Sequence, residues 1–171
     1  SPQTFDITVQ LSADQDTQTL RGYQIPIDLS PPAGEEPPVG WTVTGVTQLF
    51  SFPENDFFES SPPPDPSEGD VSAQGLTLST DPNDAAVFTT TPVSLFSFTV
   101  ELGAEAVEGD YTASVVDGLL VSFIDGAGEE IAVGPNDFNS ASISLVPEPG
   151  SGLAALVVCL SAFSRRRRRG A

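Results

Sequence analysis

The side chains able to do chemistry in this chain are almost all carboxylates. Asp14 and Asp16 stand in an Asp-x-Asp-x-Gln18 spacing, Asp81 is followed by Asp84, and Asp125 by Glu129 and Glu130. Oxygen ligands grouped on loops are what calcium takes. None of these groups has the Asp-x-Asp-x-Asp-Gly spacing with a closing glutamate, and an aspartate in a turn also accepts hydrogen bonds from its own backbone. Asp14, Asp16 and Asp125 are therefore weak calcium candidates, with turn capping as the competing reading and no firm metal site.

Other chemistries are narrowed by what the composition lacks. Without histidine there is no His-based triad, and most zinc sites and the commonest general base are gone. There is no lysine, and the one cysteine, Cys159, lies in an apolar stretch near the end of the sequence. Paired carboxylates hydrolyse glycosides, but 24 acidic residues produce accidental pairs in any case. The expectation is a protein without catalytic residues. Tyr23, Trp41 and Tyr111 offer faces on which a sugar could stack, although each falls on or beside an apolar strand where core packing competes.

Charge narrows the partners. Residues 1–164 carry all 24 acids against Arg21 alone, because the other five of the six basic residues are Arg165, Arg166, Arg167, Arg168 and Arg169; the balance over that stretch is 1 − 24 = −23. Such a surface repels nucleic acid and anionic lipid, so no nucleic-acid partner is expected, and cations, neutral polymers, polysaccharide or surface proteins are. A salt-adapted or matrix-exposed surface explains the same charge without any specific site.

The elements that must position these residues read as strands. Residues 5–12 alternate, with Phe5, Ile7, Val9 and Leu11 on one face. Strand character returns at 20–29, where Pro26 lacks an amide and points to a sheet edge, then at 41–52, 71–79, 93–102, 111–116, 119–124, 131–133 and 141–145. Residues 60–67 form a proline-rich loop that cannot join a sheet. Asp117-Gly118 and Asp125-Gly126 each sit between apolar runs as hairpin turns do. Eight or nine strands and no amphipathic helix predict an all-β chain: a single antiparallel β-sandwich over residues 1–145, wired as a jelly roll or Greek key. The disulfide-free length suffices for one core.

Residues 146–171 read differently. Val146-Pro147-Glu148-Pro149 is a stiff, extended strip. Residues 149–164 carry no charge, and Arg165 to Arg169 follow. As a helix the uncharged run reaches roughly 24 Å, short of the about 30 Å hydrocarbon core, and arginine stems can snorkel to make up part of the difference. A basic cluster past an apolar segment stays cytoplasmic, which places everything before Val146 outside. A C-terminal transmembrane helix over 150–164 with a basic tail at 165–169 is the expectation. Residue 1 is serine, with no basic, apolar leader before the first strand, as after removal of a signal peptide.

Pro-Glu-Pro, one short apolar helix and a terminal arginine cluster, in that order, resemble the PEP-CTERM sorting signal of Gram-negative bacteria. The resemblance implies an exosortase, an integral-membrane cysteine protease, as partner. It implies cleavage near Pro147 to Pro149 from a precursor held transiently in the inner membrane, and delivery to the cell surface or its exopolysaccharide matrix. Over residues 4–146 the order of an alternating first strand, a second strand ending in Asp28-Leu29-Ser30-Pro31, the Phe96-x-Phe98-x-Val100 strand and Glu108-Gly109-Asp110-Tyr111 is similar to cohesin-like and related carbohydrate-binding sandwiches. That likeness implies a calcium-dependent adhesion or cohesin-type protein-binding module as the alternative to a presented matrix protein.

Overall fold

The computed structural model describes residues 3–13, 17–35, 41–61, 71–104, 106–115, 121–133 and 138–145. Among them run ten strands: β1 (Gln3–Leu11), β2 (Gln18–Ser30), β3 (Trp41–Gln48), β4 (Asp56–Ser61), β5 (Val71–Thr77), β6 (Ala86–Phe88), β7 (Val93–Leu102), β8 (Gly109–Val115), β9 (Ser122–Asp125) and β10 (Ala141–Leu145). The smaller sheet is ordered β1-β7-β3 and the larger β10-β8-β2-β5-β4, with β6 and β9 also paired to β2; every pairing is antiparallel. The expected all-β antiparallel sandwich is the observed one. Among the described residues no helix is long and apolar enough to cross a membrane, and residues 146–171, with the sorting motif, the uncharged run and the arginines, lie outside them.

The core follows from the period of two. In β7 the inward set Phe96, Phe98, Val100 and Leu102 is buried, and across the sandwich β2 turns Leu20, Tyr23, Ile25, Ile27 and Leu29 toward it. Each such side chain contributes roughly 1.5–3 kcal/mol when fully removed from water. Between β3 and β4 the chain is tied by Asp56, whose carboxylate accepts from the Phe52 amide at 2.7 Å and from Gln48 Nε2 at 2.7 Å. Thr77, buried and polar, donates to the Glu54 carbonyl at 2.6 Å, which satisfies its hydroxyl.

Four local expectations are corrected. Pro26 lies in the central strand of the larger sheet, not at an edge. β5 flanks it on one side, while the other side of β2 is shared by β9 at Leu20 to Gln24 and β8 at Ile27 to Ser30. Pro26 falls between those two registers, where a missing amide deprives neither of them. For the same reason β8 and β9 do not form a hairpin with each other: they run in line along one edge of β2, and Asp117-Gly118 itself lies outside the described residues. Residues 56–61 and 86–88 are strands that the alternation did not reveal. Conversely, 131–133 is no strand, although the Ile131 amide still donates to the Phe123 carbonyl at 2.7 Å.

Candidate interaction face

The larger sheet carries an unusual row on its outward side. β4 pairs Phe57 with Leu76 of β5, Leu76 stands opposite Gly22 of β2, and Gly22 stands opposite Ile124 of β9. Inward neighbours fix this facing: Ala73, Tyr23 and Phe123 are buried, so in a strand of period two Leu76, Gly22 and Ile124 point outward. Four residues from four strands thus form one apolar line roughly 14 Å long at a strand spacing of about 4.8 Å. Phe57 and Ile124 keep 37% and 38% of their surface exposed. A β-carbon at Gly22 would meet the Leu76 side chain at 3.2 Å and Ile124 at 3.8 Å, so this glycine lets the two apolar side chains close over the strand between them.

The next row is polar and equally regular: Glu59, Gln74, Gln24 and Ser122 lie opposite one another across the same four strands. Gln74 Nε2 donates to Glu59 at 3.0 Å. The face therefore offers an apolar line beside a line of amides, a hydroxyl and one carboxylate, with Arg21 at the bulge between Leu20 and Gly22. Covering side chains that are already about three-fifths buried yields only about 0.5–1 kcal/mol each. An occupant must add hydrogen bonds along the polar row.

The outward face of the smaller sheet is different. It presents Thr4, Asp6, Thr8 and Gln10 from β1, Ser97, Thr99 and Glu101 from β7, and Thr42 and Thr47 from β3, in register. Thr99 donates to Asp6 at 2.7 Å and Gln10 to Ser94 at 3.2 Å. It is hydroxyl-rich and has no apolar row.

The residues singled out for chemistry are placed as follows. Asp14, Asp16, Val146, Pro147, Glu148, Pro149 and the five terminal arginines lie outside the described residues. Asp125 Oδ1 accepts from the Ala127 amide at 2.8 Å and the Glu129 amide at 2.9 Å, so its carboxylate caps its own turn. Asp81 Oδ1 does the same for Asn83 at 2.9 Å, at the start of a 3-10 turn, and Asp84 accepts from the Ser79 hydroxyl. Among the described residues no three acidic side chains converge as metal ligands would. Tyr23 and Tyr111 are buried and unable to stack on a sugar. Trp41 is half-buried, edge-on against Tyr111 at 5.9 Å, and the Tyr111 hydroxyl donates to the Val107 carbonyl at 2.8 Å. The row itself escaped the sequence reading, since none of Phe57, Leu76 and Ile124 was singled out there.

No protein-family model matches the chain, and no curated protein matches it in sequence. Among solved structures it is similar to the crystal structure of a type I cohesin–dockerin complex from Clostridium thermocellum, with a TM-score of 0.50 over 76% of this chain and 82% of that one, at 12% identity. The fold is cohesin-like.

Proposed function

We propose that this is a non-catalytic, exported surface or matrix protein whose cohesin-like sandwich, residues 1–145, holds a protein partner on the outward face of the larger sheet. Residues 146–171 act as its PEP-CTERM sorting signal. The observation that carries the binding reading is the Phe57, Leu76, Gly22, Ile124 row, because a sheet face that needed only water would continue the hydroxyl pattern of the opposite face. The similar solved structure is of a complex between two proteins, which agrees with a sandwich used for docking. Export is supported by the tail chemistry: an uncharged run flanked by Pro-Glu-Pro and five arginines suits recognition by an exosortase in the inner membrane.

Two measurements test this separately. For the face, a photo-crosslinking amino acid at Phe57 or at Thr47, on the opposite sheet, is introduced into the full chain in its native host. Capture of the same protein at position 57 and not at 47 is expected; equal capture at both, or carbohydrate alone at 57, overturns the docking reading. For the tail, intact-mass spectrometry compares protein recovered from hosts with and without the exosortase. A mass ending near Pro147 to Pro149 in the first host only is expected, and an uncleaved chain in both rejects the sorting reading.

A further inference from the structure

A second feature lies away from that face. Between the sheets, on the side where β1 ends the smaller sheet, a cavity of about 460 Å³ opens to solvent. Its floor is apolar, with Ile7, Leu20, Phe88, Phe98 and Phe123 among its lining, joined by Ile131 and Phe138. Among the described residues no charged side chain borders it.

One wall is built differently from the rest. Every residue from Ile7 to Ala13 lines the cavity, those pointing inward and those pointing outward alike. A strand that presents one face to a cavity contributes alternate residues, whereas a strand that presents its edge contributes all of them. The cavity is thus bordered by the edge of β1. That edge pairs with nothing among the described residues, since β1 is joined only to β7 and the Ala13 amide alone turns elsewhere, to the Thr89 carbonyl at 2.8 Å.

We propose that this cleft accepts an extended, uncharged polypeptide segment that adds as a strand to the free edge of β1 and sends alternate apolar side chains into the cavity. Main-chain amides and carbonyls along residues 7–12 supply the hydrogen bonds, the pleat supplies the spacing, and the apolar floor selects against acidic and basic side chains, whose burial there would go unpaired. Small apolar molecules match the floor but leave the strand edge unpaired, which is why a peptide is the better occupant. This inference concerns a different surface from the docking face and does not rest on it.

The probe is a capped peptide of about seven residues alternating valine and threonine, long enough to span 7–13 at about 3.3 Å per residue. Hydrogen exchange of the full chain is followed by mass spectrometry with and without it. Slowed exchange in β1, with no change in β3, which ends the same sheet on the other side, is expected. Ala141→Trp places a large side chain at the cleft from an exposed position on β10 and should weaken binding about tenfold or more; Ser12→Trp, also exposed, does so from the β1 side if the first variant fails to fold. A peptide of the same composition with its valines contiguous should not protect β1.

Equal protection of β1 and β3, indifference to both tryptophan variants, or no protection at millimolar peptide overturns the proposal. So does dimerisation of the free chain that Ala141→Trp abolishes, which would make a second copy the occupant. Uptake of octanol without protection of β1 would make the cleft a small-molecule site and overturn it too.

Discussion

Removing the hydroxyl of Tyr23 should stabilise the protein. Tyr23 is 4% exposed, its ring is stacked on Phe96 at 6.4 Å and Phe52 at 6.3 Å, and its hydroxyl is the buried polar side-chain atom that finds no partner among the described residues. Leaving such a group dry costs about 1–3 kcal/mol, and Tyr23→Phe removes that cost while giving up the packing of one oxygen atom, for a net gain of about 1 kcal/mol. At this size that raises Tm by about 3 °C. Tyr111→Phe is the matched control. Its hydroxyl bonds the Val107 carbonyl, so the same substitution there should cost about 1 kcal/mol. Urea unfolding followed by the fluorescence of Trp41, the single tryptophan, measures both. Alkaline pH gives a second readout. Burial, reinforced by the nearby Asp56 carboxylate, pushes the Tyr23 hydroxyl up to about 12 from 10.0. The unfolded chain therefore loses this proton first, and stability present below pH 10 falls as pH rises toward 12, by up to roughly 2–3 kcal/mol. Tyr111 is also raised, chiefly by burial, so the informative quantity is the wild-type minus Tyr23→Phe difference, which should widen between pH 9 and 11 at a constant Tyr111 background. A Tyr23→Phe variant that loses stability as Tyr111→Phe does would mean that the hydroxyl has a partner, and a difference flat with pH would mean that it is hydrated in the folded protein; either result refutes the reasoning.

Other consequences can be tested on the same unfolding assay. Gly75→Ala should cost about 1–3 kcal/mol, because its β-carbon would sit 2.7 Å from the Tyr23 ring in a packed core. Gly109→Ala should cost at least as much: its φ is +140° and a β-carbon would meet Pro32 at 2.7 Å, so backbone and packing both object. Asp125→Ala should lose about 1 kcal/mol through its two turn amides, and Asp125→Asn less than half of that. Both losses should be unchanged by millimolar calcium, whereas a loss seen only with calcium would restore Asp125 as a metal ligand.

Alternation made most of the fold legible. Phe5 to Leu11 and Phe96 to Leu102 each keep one apolar face for at least seven residues, and those two strands pair without a break from Gln3 to Val9, Phe5 with Val100 and Ile7 with Phe98, before the register shifts between Val9 and Gln10. What alternation cannot carry is pairing. Pro26 looks like an edge signal when only its own strand is considered, because the gap that accommodates it belongs to the break between β8 and β9. Asp117-Gly118 looks like a hairpin because hairpins and in-line breaks share turn chemistry. The calcium candidates were equally ambiguous. At Asp125 the turn-capping role is visible only in the structure, where one carboxylate oxygen accepts two amides of its own turn.

The interaction row was invisible for a related reason, yet it left a trace. Its members come from four strands separated by long stretches of chain, and only the registers bring Phe57, Leu76, Gly22 and Ile124 into one line. In a strand, however, two large apolar residues in succession cannot both point to one face. Phe57-Phe58 and Phe123-Ile124 are two such pairs, and in each the structure turns one residue outward: Phe57 and Ile124 are exposed, and Phe123 is buried. A doubled apolar position inside a polar, acidic chain therefore points to an apolar side chain on the second face of its strand, which is outward in these two pairs and covered at Leu95-Phe96 of β7, where both residues are buried. Where two such pairs fall in strands of one sheet whose registers align, as those of β4 and β9 do across the intervening β5 and β2, they converge on one patch. That convergence carries more weight than either exposed side chain singly, since isolated surface apolar residues are ordinary and a registered row of them is not.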